Sequence, residues 1–263
     1  MQADPATTQT DPATTQTTPM TSATPVTPMT PRARLANRPV RLSREVAVAV
    51  TREIITGAFL PGTNLPPEQA LCAAFGVSRP VVREAIKLVE RNGLVRVRAG
   101  EGTRVLPREG WNLLDPDVLR IAMETERSSV LRDDVVAMRA DLEVGMLRRA
   151  APKLTEDDFA ALERQLDVID TLGDSDALHN ADREFHAILY RASGNEIART
   201  IVLLLIAETR SVSYLGVPAP EEFRVANRAH RRIVALLRQG DLDEAADVLR
   251  RHITTQWMVD RTR

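Results

Sequence analysis

The stretch GVSRPVVREA, residues 76–85, combines features that a buried helix usually keeps apart. Gly76 closes a turn, Ser78 suits a helix N-cap, and Pro80 fits a first helical turn, where no backbone donor is needed. From there Val81, Val82, Ala85, Ile86, Leu88 and Val89 share one arc of a helical wheel. Arg79, Arg83 and Lys87 follow at i, i+4 and i+8 on the opposite arc. The pattern predicts a helix from Arg79 to about Arg91, stopped at Asn92-Gly93. Its basic stripe begins at the helix N-terminus, where a helix lying in the DNA major groove presents its side chains.

The flanking sequence supplies the rest of such a unit. Val46, Val50 and Ile54 recur at helical spacing in a segment that starts at Ser43 and ends at Gly57. In LPPEQALCAAFG, prolines precede Leu71 and Phe75, and Gly76 follows them. LVRVRAGEGTRV then gives two alternating segments around Gly100 and Gly102, a hairpin carrying Arg96, Arg98 and Arg104. Three short helices and a basic hairpin predict a winged helix-turn-helix over residues 38–106, with double-stranded DNA as its partner.

Composition narrows the alternatives. Apolar residues make up 43% of the 263, enough for a core, while aromatics at 3% argue against a sugar-binding cleft or a base-stacking surface. Neither a signal peptide nor an apolar run of about 18 residues is present, so a cytoplasmic protein with no membrane partner is expected. Cys72, the single cysteine, excludes an internal disulfide and a cysteine-built zinc site and reads as a buried filler. Residues 37–105 hold 11 Lys and Arg against 6 Asp and Glu, whereas residues 106–263 hold 22 against 28. A basic front on an acidic body suggests that the front meets a polyanion. Before it, DPATTQT at 4–10 repeats at 11–17, and TPMT occurs at 18 and 27. Without an apolar face, residues 1–37 are expected to form a disordered tail.

Residues 107–127, which include WNLLDPDVL, read as a linker ending in helix. Residues 128–263 carry amphipathic patterns near 128–150, 155–172, 175–193, 195–214, 220–239 and 242–260, punctuated by Gly173, Gly194 and Gly240. No strand pattern competes, so the fold class is mainly α, with an antiparallel helical bundle after the winged helix.

The four histidines all fall at or after residue 179. Asp182 and His186 stand four apart beside the apolar stripe Leu178, Phe185 and Leu189. His230 and His252 sit in the inward stripes of the last two helices, about ten and eleven residues from the Gly240-Asp241 turn. At about 1.5 Å per residue both stand roughly 16 Å from that turn, so they face each other at one level. Three inward histidines and a carboxylate are costly to bury uncompensated, and a divalent metal would resolve the cost. Zinc suits that donor set best, with nickel or manganese as alternatives. His179, one turn before Asp182, reads as a boundary residue.

Residues 54–105 resemble the GntR family of winged-helix transcription regulators, through PGTNLPPEQAL, GVSRPVVREA, NGLV and GEGTRV. That resemblance implies DNA contacts from Ser78, Arg79 and Arg83, and a minor-groove approach by Gly100 at the wing tip. Lys87 and Arg98 complete the expected DNA-binding set. Two positions depart from the family pattern: Gln69 where a basic residue is frequent, and Glu101 at the wing tip. The C-terminal half resembles the FCD ligand-binding domain of the FadR-type branch, through RADLE at 139–143, DREFHAILYRASGN at 182–195, HRRIVALLRQGD at 230–241 and AADVLRRH at 245–252. It implies a metal held by Asp182, His186, His230 and His252, and a homodimer reading a palindromic operator. WNLLDPDVL resembles the sugar-acid-responsive members of the branch, the galactonate-responsive ones among them. The expected effector is a small carboxylate, a sugar acid or hydroxy acid, with Arg139 and Gln256 reaching it. The expected function is a DNA-binding repressor and not an enzyme. Two other readings stay open here: a metal-dependent hydrolase built on the Asp/His cluster, and an interaction adaptor that has lost DNA binding, suggested by Gln69 and Glu101.

Overall fold

The periodicities above translate into ten helices and one hairpin among the residues that the computed structural model describes, 37–125, 130–171, 175–212 and 220–261. The Thr/Pro repeat tract and Gly173 lie outside the described residues, as does the side chain of Gln256. Residues Arg38–Arg263 form one compact unit.

The first three helices are α1 (Asn37–Ile55), α2 (Glu68–Phe75) and α3 (Arg79–Arg91). They close over Val46, Val50, Ile54, Leu71, Val82, Ala85, Ile86 and Val89. Of the arc expected to be buried on α3, only Leu88 remains partly exposed. Gly76, with φ 64°, adopts the left-handed conformation that ends α2 and sends its N–H back to the Cys72 carbonyl. Cys72 itself is only partly buried, not the buried filler expected, because it packs on the edge of this core from a short outer helix. The sequence also placed the start of α1 too late. Ser43 is a buried residue inside the helix, and its hydroxyl donates to the Val40 carbonyl at 2.9 Å.

Strands β1 (Val95–Arg98) and β2 (Gly102–Val105) pair antiparallel, with Val95 opposite Val105 and Arg96 opposite Arg104. Leu94, Val95 and Val105 enter the helical core, which leaves the arginine face outward. A third segment joins them that sequence periodicity did not show. Leu65 N–H donates to Thr103 O and Val105 N–H to Thr63 O, both at 2.8 Å, and Asn64 bridges Arg104. Pro61 before this segment and Pro66-Pro67 after it lack backbone donors and confine it to a single bridge.

The turn after α3 depends on one glycine. Gly93 has φ 75°, and a Cβ placed there would lie 2.1 Å from the Gly110 carbonyl oxygen. Both the dihedral and the backbone contact exclude a side chain. Gly93→Ala is expected to destabilise the protein by at least ~2 kcal/mol, since strain and overpacking add. A thermal melt reads this directly. An unchanged melting temperature would contradict the close approach.

Beyond a short 3-10 turn at Arg108–Gly110, α4 (Pro116–Thr125) begins at Asp115, whose Oδ1 accepts from the N–H groups of Asp117 and Val118. It buries Leu119, Ala122 and Met123 against Leu131, Val135 and Leu205. Its polar side clasps α1: Asp117 accepts from Arg44 at 2.9 Å and Glu124 from Arg52 at 2.7 Å. The remaining helices are α5 (Val130–Ala150), α6 (Glu156–Thr171), α7 (Ser175–Ser193), α8 (Glu196–Val212), α9 (Pro220–Gln239) and α10 (Leu242–Arg261). Helices α5, α6, α7, α9 and α10 share one core, built on Ala140, Leu147, Leu162, Phe185, Ile233, Ala245 and Leu249. Helix α8 packs on α4 and α5, so α4 lies between the winged helix and the bundle.

Candidate functional site

Two surfaces carry chemistry. On the first, α3 exposes Arg79, Arg83 and Lys87 along one side, opposite its buried valines. Ser78 occupies the N-cap position in extended conformation but makes no side-chain capping bond, contrary to its expected local role. Its exposed hydroxyl is thereby left to other partners. At the wing tip the Glu101 N–H closes a turn onto the Arg98 carbonyl at 3.2 Å. Gly100 takes the positive φ of 79° that the turn requires. Asn64 steadies this tip by donating to the Glu101 carbonyl at 2.9 Å.

Acidic neighbours hold three of the six expected DNA-contacting residues. Arg83 pairs with Glu68 of α2 at 3.0 Å, Lys87 with Glu84 at 2.8 Å and Arg98 with Glu101 at 3.3 Å. All of these side chains are well exposed, so each pair adds little to stability. Gln69 is exposed on α2, and Glu101 reduces the positive charge at the wing tip.

The second surface lies inside the bundle. Because α9 and α10 run antiparallel from the Gly240 turn, His230 and His252 meet with their Nε2 atoms 2.9 Å apart. Helix α7 brings His186 beside them, and ligating nitrogens of all three rings fall within 4.8 Å of one another. Asp182 Oδ1 lies 3.9 Å from His230 Nε2. Phe185 stacks on the His230 ring at 4.4 Å, which fixes that ring within the core. His230 is fully buried, and its Nδ1 has no hydrogen-bond partner.

Two neutral imidazoles meeting through Nε2 share at most one proton, and a buried orphan nitrogen on the same ring adds to the cost. The three imidazoles form a donor group that fits a divalent transition metal, with both Nε2 lone pairs as ligands, while Asp182 lies beside His230 but outside that three-histidine group. The residues present therefore fit the group.

A network not foreseen from sequence supports His186. Glu143 on α5 is 1% exposed, and its Oε2 lies 3.5 Å from His186 Nδ1. The same oxygen accepts from the Tyr190 hydroxyl at 2.8 Å, while Oε1 accepts from Arg139 at 3.0 Å. A carboxylate on Nδ1 fixes the ring's orientation and leaves Nε2 to a ligand. The sequence carries this network only as spacings, Glu143 four after Arg139 and Tyr190 four after His186, which ordinary surface pairs share. Arg139, expected at the effector, is engaged by Glu143, although it remains close enough to act electrostatically on Asp182 and His252.

Burial dominates the electrostatics of the cluster. It raises the Asp182 carboxyl above the ordinary range, against the pull of His186, His179 and Arg139. It holds His230 well below the usual imidazole range, with repulsion from His252 and His186 adding to the effect. His252 is pushed down to about 3, by burial first and then by His186 and Arg139. In the unfolded chain these imidazoles take up protons near 6.5. Below that value the unfolded state binds protons that the folded state refuses, so stability falls from about pH 6.5 downward. The metal-free protein is expected to melt progressively lower between pH 7 and pH 5, and His230→Ala to flatten that slope. A slope unchanged by the substitution would contradict it.

A helix-turn-helix with a wing, joined to a helical bundle with a buried polar centre, defines a DNA-binding transcription regulator. The chain belongs to the GntR family: residues 42–105 match the bacterial regulatory proteins of the gntR family, and residues 134–255 match the FCD domain. The repressor NanR of Salmonella arizonae is 32% identical over 238 residues, covering 87% of this chain and 89% of that protein. The galactonate operon transcriptional repressor of Escherichia coli strain K12 is 28% identical over 168 residues, covering 64% of this chain and 73% of that one. The solved structure of Lar, which controls expression of the Listeria monocytogenes agr system, covers 84% of this chain and 97% of its own at a TM-score of 0.51 and 18% identity, a likeness of fold. The matched domains and relatives are transcription regulators and not enzymes, which sets aside the hydrolase reading. No helix among the described residues is long and apolar enough to cross a membrane.

Proposed function

We propose that the protein is a homodimeric, operator-binding repressor released by a small hydroxylated carboxylate, a sugar acid or hydroxy acid, which binds at a divalent metal in the FCD domain. Asp182, His186, His230 and His252 hold the metal, with zinc the best match to their chemistry. When bound, the metal supplies an electrophilic centre that favours hard, anionic oxygen donors. Ser78, Arg79, Arg83, Lys87, Arg98 and Gly100 meet the operator, Arg79 and Arg83 at base edges and Lys87 at phosphate.

The observation that carries this reading is the close meeting of His186, His230 and His252 in the interior of a DNA-binding regulator. The polar surroundings supplied by Arg139, Glu143 and Tyr190 suit a hydroxylated acid better than an acyl chain. Similarity to a galactonate operon repressor supports the sugar-acid class. Arg139 and Gln256 are the residues we assign to the effector, Arg139 by exchanging part of its bond to Glu143. The path to DNA runs from α5 to α8, from α8 to α4, and through the Asp117 and Glu124 pairs to α1.

A thermal-shift screen of aldonates, uronates and simple hydroxy acids on the metal-loaded protein tests the effector class. At least one sugar or hydroxy acid is expected to raise the melting temperature of wild type and not of His230→Ala. Stabilisation by fatty acyl thioesters alone would overturn the polar-acid reading.

A further inference from the structure

The Glu68–Arg83 pair differs from the other ion pairs on the DNA-reading surface. Glu84 and Lys87 are neighbours on one helix turn, and Arg98 and Glu101 lie within one hairpin tip. Glu68 instead opens α2 and reaches across the helix-turn-helix to the middle of α3. Both of its carboxylate oxygens accept from one hydrogen of Arg83, the Nε–H, at 3.1 and 3.0 Å. Among the described residues the two terminal Nη groups of Arg83 have no hydrogen-bond partner. Arginine has a planar fork with donors on distinct edges, and the carboxylate occupies the edge nearest the chain.

We propose that Glu68 is a positioning residue for base reading: it holds the Arg83 guanidinium by Nε so that the two Nη groups address a guanine end-on. The proposal rests on the reading of α3 as the base-reading helix. A side-on approach through Nε and one Nη is blocked while the carboxylate is in place. A carboxylate on this surface otherwise repels DNA phosphates and lowers affinity for every sequence. Its presence beside a base-reading arginine is accounted for if it exchanges general affinity for discrimination. Stability alone does not account for it, because the side chains are 62% and 44% exposed and such pairs contribute little.

The test uses the full chain and two duplexes: one enriched by wild-type protein from random-sequence DNA, and an unselected random duplex of equal length. Fluorescence anisotropy at fixed salt gives the ratio of affinities for Glu68→Ala, Glu68→Gln and Arg83→Ala. Both Glu68 variants remove the same charge, but glutamine keeps an oxygen that accepts from Nε–H. Glu68→Ala is expected to lower the ratio about tenfold, a modest share of what a bidentate base contact confers, and to bind the random duplex as well as wild type or better. Glu68→Gln is expected to retain most of the ratio. Replacing guanines one at a time with 7-deazaguanine identifies the contacted base: the penalty at that guanine should persist in Glu68→Gln, shrink in Glu68→Ala and vanish in Arg83→Ala. Identical ratios for the two Glu68 variants, or an undiminished guanine penalty in Glu68→Ala, alongside a damaged Arg83→Ala, would overturn the proposal alone. A wild-type ratio in Arg83→Ala would remove the reading of α3 and the proposal with it.

Discussion

Arg79→Ala and Arg83→Ala are each expected to weaken operator binding by about 1–3 kcal/mol, up to roughly a hundredfold, with little change in melting temperature. The two arginines lie on the exposed side of α3, opposite Val82, Ala85 and Val89, so truncation leaves the core untouched. Lys87→Ala should cost less, lower affinity for all sequences alike and reduce the salt dependence by about one phosphate contact. Arg79 has no ion-pair partner among the described residues, whereas Arg83 must share its guanidinium with Glu68. Loss of Arg79 should therefore show the simpler pattern. Variants that fold normally and bind the selected duplex like wild type would contradict the assignment of α3.

Metal loading is expected to have the largest effect on stability. A saturating divalent ion held a thousandfold above its dissociation constant adds about 4 kcal/mol to the folded state. For a chain of this size that corresponds to a rise in melting temperature on the order of 10 °C. An ion held by His186, His230 and His252 would tie α7, α9 and α10 together at their buried faces, so its effect should spread over the bundle core. Elemental analysis should find about one ion per chain, and His252→Ala should abolish both the ion and the shift. A bundle that melts identically with and without zinc or nickel, and carries neither, would contradict the centre.

The parts legible in the sequence were those set by local periodicity. Val82, Ala85 and Val89 announce a buried face at steps of three and four residues, and Gly76 and Gly93 mark where backbone needs a positive φ. The meeting of His230 and His252 was also readable, because a single glycine turn and equal distances from it put the two residues at one level. Glu143 was not. Four residues after Arg139, it has the spacing of an ordinary surface ion pair. Only the packing of α7 and α10 on α5 reduces its exposure to 1% and turns it toward His186. Burial of that kind is a tertiary property, absent from one helix's pattern. The α4 clasp was hidden for the same reason: Arg44 and Arg52 look like solvated charges until Asp117 and Glu124 arrive from another helix. The third strand-like segment at Thr63–Leu65 is too short to alternate, and its pairing is dictated by β2 alone.

Helix α4 packs on α8 on one side and pairs with α1 on the other. Arg120 donates to Asp117 at 2.8 Å and lies 3.9 Å from Glu208 on α8. Any displacement of α8 by an effector would therefore act on the same charges that hold α1. Such coupling needs the effector to favour one arrangement of α4 over the other, since equal binding to both shifts nothing.

The most direct measurement follows fluorescence anisotropy of a labelled operator duplex bound to the zinc-loaded protein while galactonate and related sugar acids are added. At least one acid is expected to release the duplex from wild type and to leave it bound to His230→Ala, whose substitution lies on α9, outside the winged helix. Release that is equally strong in His230→Ala, or a wild-type protein that never holds the duplex, would contradict this expectation.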